Sequence, residues 1–416
     1  MTDVLPAGAC LLHIGPYKTG SSAIQDAMHA HREQMREHGV LYPGDGRRAD
    51  RAGWAVLGRT PRGRVPARIE EWESLVEEVD AARDMRVCVS TEDFGRAGPR
   101  FVKRIATDLG VERLYVIAVA RRLDGLLPSQ WQQRAQSHHT ESYDEFLNVV
   151  LAERPSRTAT AKAFWSSHDL GAMIDRWSTA VGSAERVIVV VADKSDRGLL
   201  PRTFEDLLGL PAGMLVEDAV GTNPSLSLNG VELLRRVNLL FAERGWSDEA
   251  YMRLVQRGMI PALKAMSHHP GADPLDLKVP PMPPWAAEAV AELSRARFET
   301  LTGSGVRVIG DPDTLMASPD SDADADYRPG WISVDAAALA VQGVVEGAFA
   351  SADSARKRHA RALKTARRET RKAVRNARTG TAGPGVAVAQ TSGRDLAKVI
   401  AGRALRRLRR PTGGSS

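Results

Sequence analysis

Residues 11–31 read "LLHIGPYKTGSSAIQDAMHAH": an apolar run, a turn bounded by Gly15 and Gly20, and a helical pattern from Ser22 onward. Strand, glycine turn and helix in that order gather backbone N–H groups and the positive end of a helix dipole at one point, where an anion binds. A nucleotide-hydrolysing loop has the form G-x-x-x-x-G-K-[ST]. Gly15 and Gly20 keep that separation, but Ser21 and Ser22 stand where the lysine and the magnesium-binding hydroxyl belong. The lysine, Lys18, lies inside the loop. The pattern therefore predicts an anion site over Thr19, Gly20, Ser21 and Ser22 that is ill suited to Mg-ATP. Its plainer alternative is a glycine turn capped by Ser21 with a solvated lysine.

A second element follows the apolar run "LYVIAVA". In "RRLDGLLPSQWQQ", Arg121 sits at the strand's carboxyl end and Ser129 lies eight residues on, near the start of a predicted helix. Ligands of open α/β sheets bind outside the carboxyl ends of strands. An arginine there offers bidentate recognition of phosphate, and a serine adds a hydroxyl donor. An Arg-x7-Ser pair alone carries little weight. On a strand-to-helix junction of the same fold as Lys18, it carries more.

The chain around these elements alternates strands and helices. Cys10–Ile14, Arg86–Ser90, Leu114–Ala120 and Arg186–Val191 are near-continuous apolar runs, as in strands buried on both faces of a parallel sheet. Helical patterns cover Ser22–Glu37, Ile69–Ala82, Phe101–Leu109, Gly125–Gln136, Leu170–Val181 and Pro201–Leu208. The expected fold is a three-layer α/β/α sandwich with a mostly parallel central sheet, like that of P-loop nucleotidases. Helical additions follow over Asn229–Ala242, Asp248–Met266 and Pro284–Leu301, then a short closing strand, "VRVIG". The expected organisation is an α/β domain over 1–310, an acidic linker over 311–333, and a basic helical or disordered tail over 334–416.

Composition fits a globular protein: 416 residues, 43% apolar and 26% charged. No apolar run approaches the roughly 20 residues of a membrane span, and no secretory leader is expected at the start. The two cysteines, Cys10 and Cys88, fall in predicted strands and read as small buried apolar residues. They point to a reducing, cytoplasmic setting. No His, Cys and Asp set has metal-ligand spacing, so no metal is expected. Charge is uneven. From Arg356 to Arg410, 18 Lys and Arg stand against Glu369 and Asp395, a net of +16; the whole chain carries +6, so the remainder carries −10. Such a tail suits a solvated helix or peripheral contact with anionic lipid at the inner face of the membrane. Nucleic acid is disfavoured, because the tail lacks interleaved aromatics and the body is acidic.

"KTGSS" and "RRLDGLLPS" together resemble the paired motifs of the bacterial sulfotransferases that use 3′-phosphoadenosine 5′-phosphosulfate (PAPS). Weaker similarities follow in "LGAMIDRWSTAVGSAERVIVVV" and "TNPSLSLNGVELLRRVN". The resemblance spans about residues 8 to 245. It implies a P-loop-like fold and PAPS as donor, with no metal required. Lys18, Thr19, Gly20, Ser21 and Ser22 would hold the 5′-phosphosulfate, and Arg121 and Ser129 the 3′-phosphate. The acceptor would be a hydroxyl, on a carbohydrate or glycolipid. The alternatives are a P-loop kinase using Mg-ATP, and a non-catalytic protein acting through its basic tail.

Sulfuryl transfer is an in-line displacement in which charge grows on the leaving oxygen, and Lys18 would meet it there. A general base must take the acceptor's proton. The first candidate is Glu92 in "STEDF", just past the strand Arg86–Ser90, where family members carry a His or Glu; Ser90 or Thr91 reads equally as a helix cap there. Asp45 and His13 are the other candidates for the base. His138 and His139 end a predicted helix, where histidines complement the dipole; substrate contact is the lesser alternative. Asn223, Ser225 and Ser227 read as turn formers and caps, or as a segment closing over the nucleotide.

Overall fold

The structure is a computed structural model. It describes residues 4–17, 19–61, 64–152, 158–193, 195–215, 226–266, 282–316 and 332–378. Lys18, Asn223, Ser225, most of the expected linker and the second basic segment lie outside the described residues. The contacts divide the chain into two units, Met1–Ala348 and Phe349–Ser416.

Six parallel strands form the centre of the first unit: β1 (Cys10–His13), β2 (Val40–Leu41), β3 (Arg86–Ser90), β4 (Leu114–Ala120), β5 (Val187–Val191) and β6 (Arg307–Ile309), in the order β2-β3-β1-β4-β5-β6. Register is set around β1, where Cys10 pairs with both Val87 and Leu114, and His13 with both Ser90 and Ile117. Between β1 and β2 lie α1 (Ser21–Ala30) and α2 (Arg32–Glu37); α3 (Asp50–Leu57) and α4 (Ile69–Ala81) lead to β3. Then come α5 (Pro99–Leu109), and after β4, α6 (Leu123–Gln136), α7 (Tyr143–Leu151), α8 (Ala159–His168) and α9 (Leu170–Val181). After β5 follow α10 (Leu199–Leu208) and α11 (Leu228–Arg244). α12 (Asp248–Tyr251) runs through a π-helical stretch, Met252–Met259, into α13 (Ile260–Met266); α14 (Pro284–Gly303) precedes β6, and α15 (Val334–Arg378) is last.

Alternation along the strands builds the layers. Cys10, Leu12, Val87, Val89, Val116 and Val189 pack against α3, α4, α5 and α9. Their neighbours Leu11, Cys88, Ile117, Ile188 and Val190 pack against α1 and α10 through Ile24, Met28, Phe204 and Leu208. Each such fully buried apolar side chain contributes about 1.5–3 kcal/mol. Both cysteines are fully buried, and burial pushes the Cys10 thiol up to about 12 and that of Cys88 upward as well. A separate helical core joins α6, α7, α11, α14 and the π-helical stretch. The expected three-layer α/β/α fold with a parallel central sheet, P-loop-like, is the fold observed.

Several expectations need correction. One predicted helix, Ser22–Glu37, is two, broken at His31. Helices α3, α7 and α8 were not expected, nor was the two-residue strand β2. The first part of α15 packs on the body rather than opening a tail. Ala340 is buried, and Gly343 meets the backbone of Gly258 so closely that a Cβ there would lie 2.5 Å from its carbonyl oxygen. Within α15, Val334–Asp353 is also long enough and apolar enough, at mean hydropathy 1.2, to match a membrane span by composition. Valines and alanines interrupted by Asp335, Gln342, Gly343, Glu346 and Gly347, rather than a continuous apolar run, make up that average, which hid it in the sequence.

Candidate active site

The chain order dictates where a ligand can sit. The connection after β1 leads toward β2, on one side, whereas those after β3 and β4 lead to the other. Neighbouring strands whose connections diverge leave a crevice at their carboxyl ends. The loop after β1 fills the middle of that crevice. Ile14 donates its N–H to Ile117 (3.0 Å) and Gly15 accepts from Val119 (2.8 Å), so the chain follows β4 beyond the strand's end. Gly15 has φ +85°, and a Cβ there would come within 3.0 Å of the Glu92 side chain. Only glycine lets loop and Glu92 approach so closely.

Helix α1 then begins at Ser21 behind Gly20, with no side-chain cap and no acidic residue in its first turn. The Ala23 N–H turns back to the Gly20 carbonyl (3.3 Å), and a helix start of this kind favours an anion beside it. Gly20, Ser21 and Ser22 line a cleft of about 650 Å³, together with Tyr17, Arg121, Ser129 and Glu92. Thr19 is turned away: it is buried, and its hydroxyl donates to the Pro16 carbonyl at 2.7 Å, tying the turn.

Arg121 follows β4 directly, and its guanidinium lies over Gly125, where an added Cβ would be 3.2 Å from Nη2. Burial holds its pKa below the usual arginine value, and Asp124 partly offsets that. Helix α6 starts two residues earlier than the sequence pattern implied, so Ser129 stands in its second turn rather than at its start. Both residues still reach the same cleft as the loop.

On the β3 side, Glu92 opens the 3-10 turn Glu92–Arg96 and is 4% exposed. Its Oε2 accepts from Arg48 Nη1 at 2.9 Å, and Arg48 Nη2 reaches Asp50 at 2.9 Å. Burial works against the charge on Arg48, but Asp50 and Glu92 outweigh it and raise its pKa. Arg96 pairs with Asp93 (2.5 Å) and lies over the Tyr17 ring, 5.0 Å from its centroid. The remaining candidates divide. His13 is fully buried beneath the loop with its nitrogens 2.8 Å from Ser90 Oγ and 3.4 Å from Ser21 Oγ, so it is not a base facing the cleft. Asp45 is exposed on the loop after β2 and outside the cleft. His138 stacks on Tyr251 at 3.9 Å in the helical core, whereas His139 lines the cleft beside Arg134. Ser227 caps α11, accepting from the Gly230 N–H at 3.1 Å.

Sequence reasoning missed Arg48, Arg96, Gln130 and His168. Gln130 Nε2 donates to the Tyr17 carbonyl (3.2 Å) and lies 2.9 Å from His168 Nε2, tying the loop to α6 and α8. Among the described residues, no group of three or more His, Cys, Asp or Glu is arranged to hold a metal ion.

Two of these buried histidines make stability depend on pH. Burial pushes His13 down to about 4; burial, with Arg297 and Arg96 nearby, pushes His168 down to about 3. In the unfolded chain each returns to about 6.5. Below that pH the unfolded chain binds more protons than the folded one. Stability is therefore complete above about pH 6.5 and falls by roughly 1.4 kcal/mol per pH unit per histidine as pH drops toward 4. Urea midpoints compared at pH 7 and pH 5 check this; equal midpoints would contradict it.

The fold is similar to that of a sulfotransferase from Alicyclobacillus acidocaldarius known from its crystal structure, with a TM-score of 0.34 and 14% identity, over 60% of this chain and 99% of that one. No protein-family model matches the chain. No curated protein matches it either. A likeness that distant decides nothing about the chemistry, which rests on the residues of the cleft.

Proposed function

We propose that the protein is a PAPS-dependent sulfotransferase that moves a sulfuryl group onto an acceptor hydroxyl of a carbohydrate or glycolipid. One observation carries the reading: the uncapped start of α1 and the Arg121–Ser129 pair, from two different crossovers, open into one cleft with a buried carboxylate, Glu92, beside them. Two separate anion-binding elements suit a donor with phosphates at both ends of its ribose.

In this reading the 5′-phosphosulfate lies on Gly20, Ser21 and Ser22 with Lys18, and the 3′-phosphate on Arg121 and Ser129. The acceptor oxygen attacks sulfur in line, and the bond from sulfur to the bridging phosphate oxygen breaks. 3′,5′-ADP leaves with that electron pair, and the acceptor's proton passes to Glu92. The cleft is also lined by Gln133, Ser137, Thr160 and Ser167, with Arg134 and His139, whereas its phenylalanines, Phe146 and Phe164, are almost fully buried. Hydroxyl and amide walls suit a polyhydroxylated acceptor. The basic segment would keep the enzyme at an anionic cytoplasmic membrane surface, where a glycolipid is met.

Calorimetric titration with 3′,5′-ADP, with and without magnesium and against ATP, tests the reading. Micromolar binding indifferent to magnesium is expected. Arg121→Ala should weaken it by about tenfold to a hundredfold, the worth of a charge-assisted phosphate contact. Binding of Mg-ATP without binding of 3′,5′-ADP would overturn the proposal in favour of a kinase.

A further inference from the structure

Under the floor of the cleft lies a polar cluster of which only Ser21 reaches the ligand. Gln25 of α1, Ser90 at the end of β3, His13 at the end of β1 and Ser21 at the start of α1 come from three elements, and each is at most 1% exposed. Phe204 of α10 stands edge-on to the His13 ring at 5.3 Å and closes the cluster from below. Polar groups so deeply buried are as a rule hydrogen-bonded to one another.

The direction of these hydrogen bonds follows from the donors. Gln25 Nε2 donates to Ser90 Oγ at 2.9 Å. The hydroxyl of Ser90 keeps its own hydrogen to give; Tyr42 also engages it, but His13 Nδ1, 2.8 Å away, is the closer acceptor. An imidazole that accepts at Nδ1 carries its hydrogen on Nε2. His13 Nε2 faces Ser21 Oγ at 3.4 Å. Thr19 Oγ1, also 3.4 Å from Ser21 Oγ, has given its own hydrogen to Pro16 and can only accept.

We propose that His13 is a positioning residue: held as the Nε2–H tautomer by Ser90, it donates to Ser21 Oγ and leaves the Ser21 hydroxyl hydrogen for an anionic phosphate oxygen in the cleft. This rests on the reading of the loop as a phosphosulfate site. The chain of donors runs from Gln25 through Ser90 and His13 to Ser21, and ends on the ligand. Reversed, with Ser21 donating to His13, the serine would turn lone pairs toward a negative ligand and repel it. The low pKa of His13, about 4, keeps the ring neutral through the physiological range, so the tautomer alone sets the direction.

Two measurements on the full chain test the inference. Long-range proton–nitrogen spectra of the histidine rings, with His13 assigned through His13→Gln, should show the Nε2–H tautomer unchanged from pH 8 to pH 5. The Nδ1–H tautomer would overturn the proposal, and this result does not depend on any ligand. The second is a double-mutant cycle on 3′,5′-ADP binding. His13→Phe and Ser21→Ala should each weaken binding about tenfold, and the double variant no more than either alone. His13→Gln, which restores an amide donor toward Ser21, should bind within about threefold of the unaltered protein. Additive losses, or a glutamine variant as weak as the phenylalanine one, would overturn the positioning role. An unaltered protein that ignores 3′,5′-ADP would overturn the sulfotransferase reading and the ligand half of this inference, with the tautomer still measured.

Discussion

Replacing Glu92 by glutamine should lower kcat about a thousandfold, within the range for loss of a general base, while 3′,5′-ADP affinity stays within about threefold. The amide fills the same space and still accepts from Arg48, so the turn after β3 should hold. What it cannot do is take a proton. The pairing of Glu92 with Arg48 gives the prediction a second part. A carboxylate bound to a guanidinium is a poor base, so the acceptor must enter with Arg48 shifting toward Asp50, its other partner. Arg48→Met should therefore change kcat while 3′,5′-ADP affinity stays within about threefold. A Glu92→Gln enzyme retaining more than a fifth of its kcat would remove Glu92 from the mechanism.

Lys18→Ala should cost about 10²- to 10³-fold in kcat, on the order of 3–4 kcal/mol, as for loss of a donor aimed at developing charge. Lys18 stands between Tyr17, whose carbonyl Gln130 holds, and Thr19, whose hydroxyl ties the turn. Both neighbours are fixed by the fold, so the variant should keep its loop. Single-turnover rates with a simple carbohydrate acceptor, set beside 3′,5′-ADP affinity, separate the two roles the lysine can have. A drop in rate much larger than the drop in affinity identifies stabilisation of the leaving oxygen. Equal losses would make Lys18 a ground-state contact and contradict the mechanism.

The architecture was legible where hydrophobic pattern and chain punctuation agree. Continuous apolar runs marked β1, β3, β4 and β5, because strands covered on both faces leave no polar side to blur the pattern. Gly15 and Gly20 marked the loop between β1 and α1. β2 escaped because two residues, Val40 and Leu41, form no periodicity. Helix α7 carried a signal that went unread: the Ser142 and Glu145 capping box just before an apolar run. In the site, motif spacing led to Gly20, Ser21, Ser22, Arg121, Ser129 and Glu92, all of which line the cleft. It could not lead to Arg48, Gln130 or His168, whose contacts with Glu92, Tyr17 and each other span 38 to 113 positions of the chain. His13 stands as a further candidate for the base because it ends β1 beside the loop, and the sequence does not say how deep that end lies.

The basic stretch of α15 has one more physical consequence. Between Arg356 and Arg378, eleven Lys and Arg stand against Glu369 in a continuous helix. At 1.5 Å per residue that is a net +10 over about 34 Å, one charge per roughly 3.4 Å. A single DNA strand carries the same linear density with opposite sign. A rod so charged gathers small anions from solution around itself. Each one is set free when a polyanion takes its place, so association through this segment is driven by released ions and fades steeply, as a power of the salt concentration.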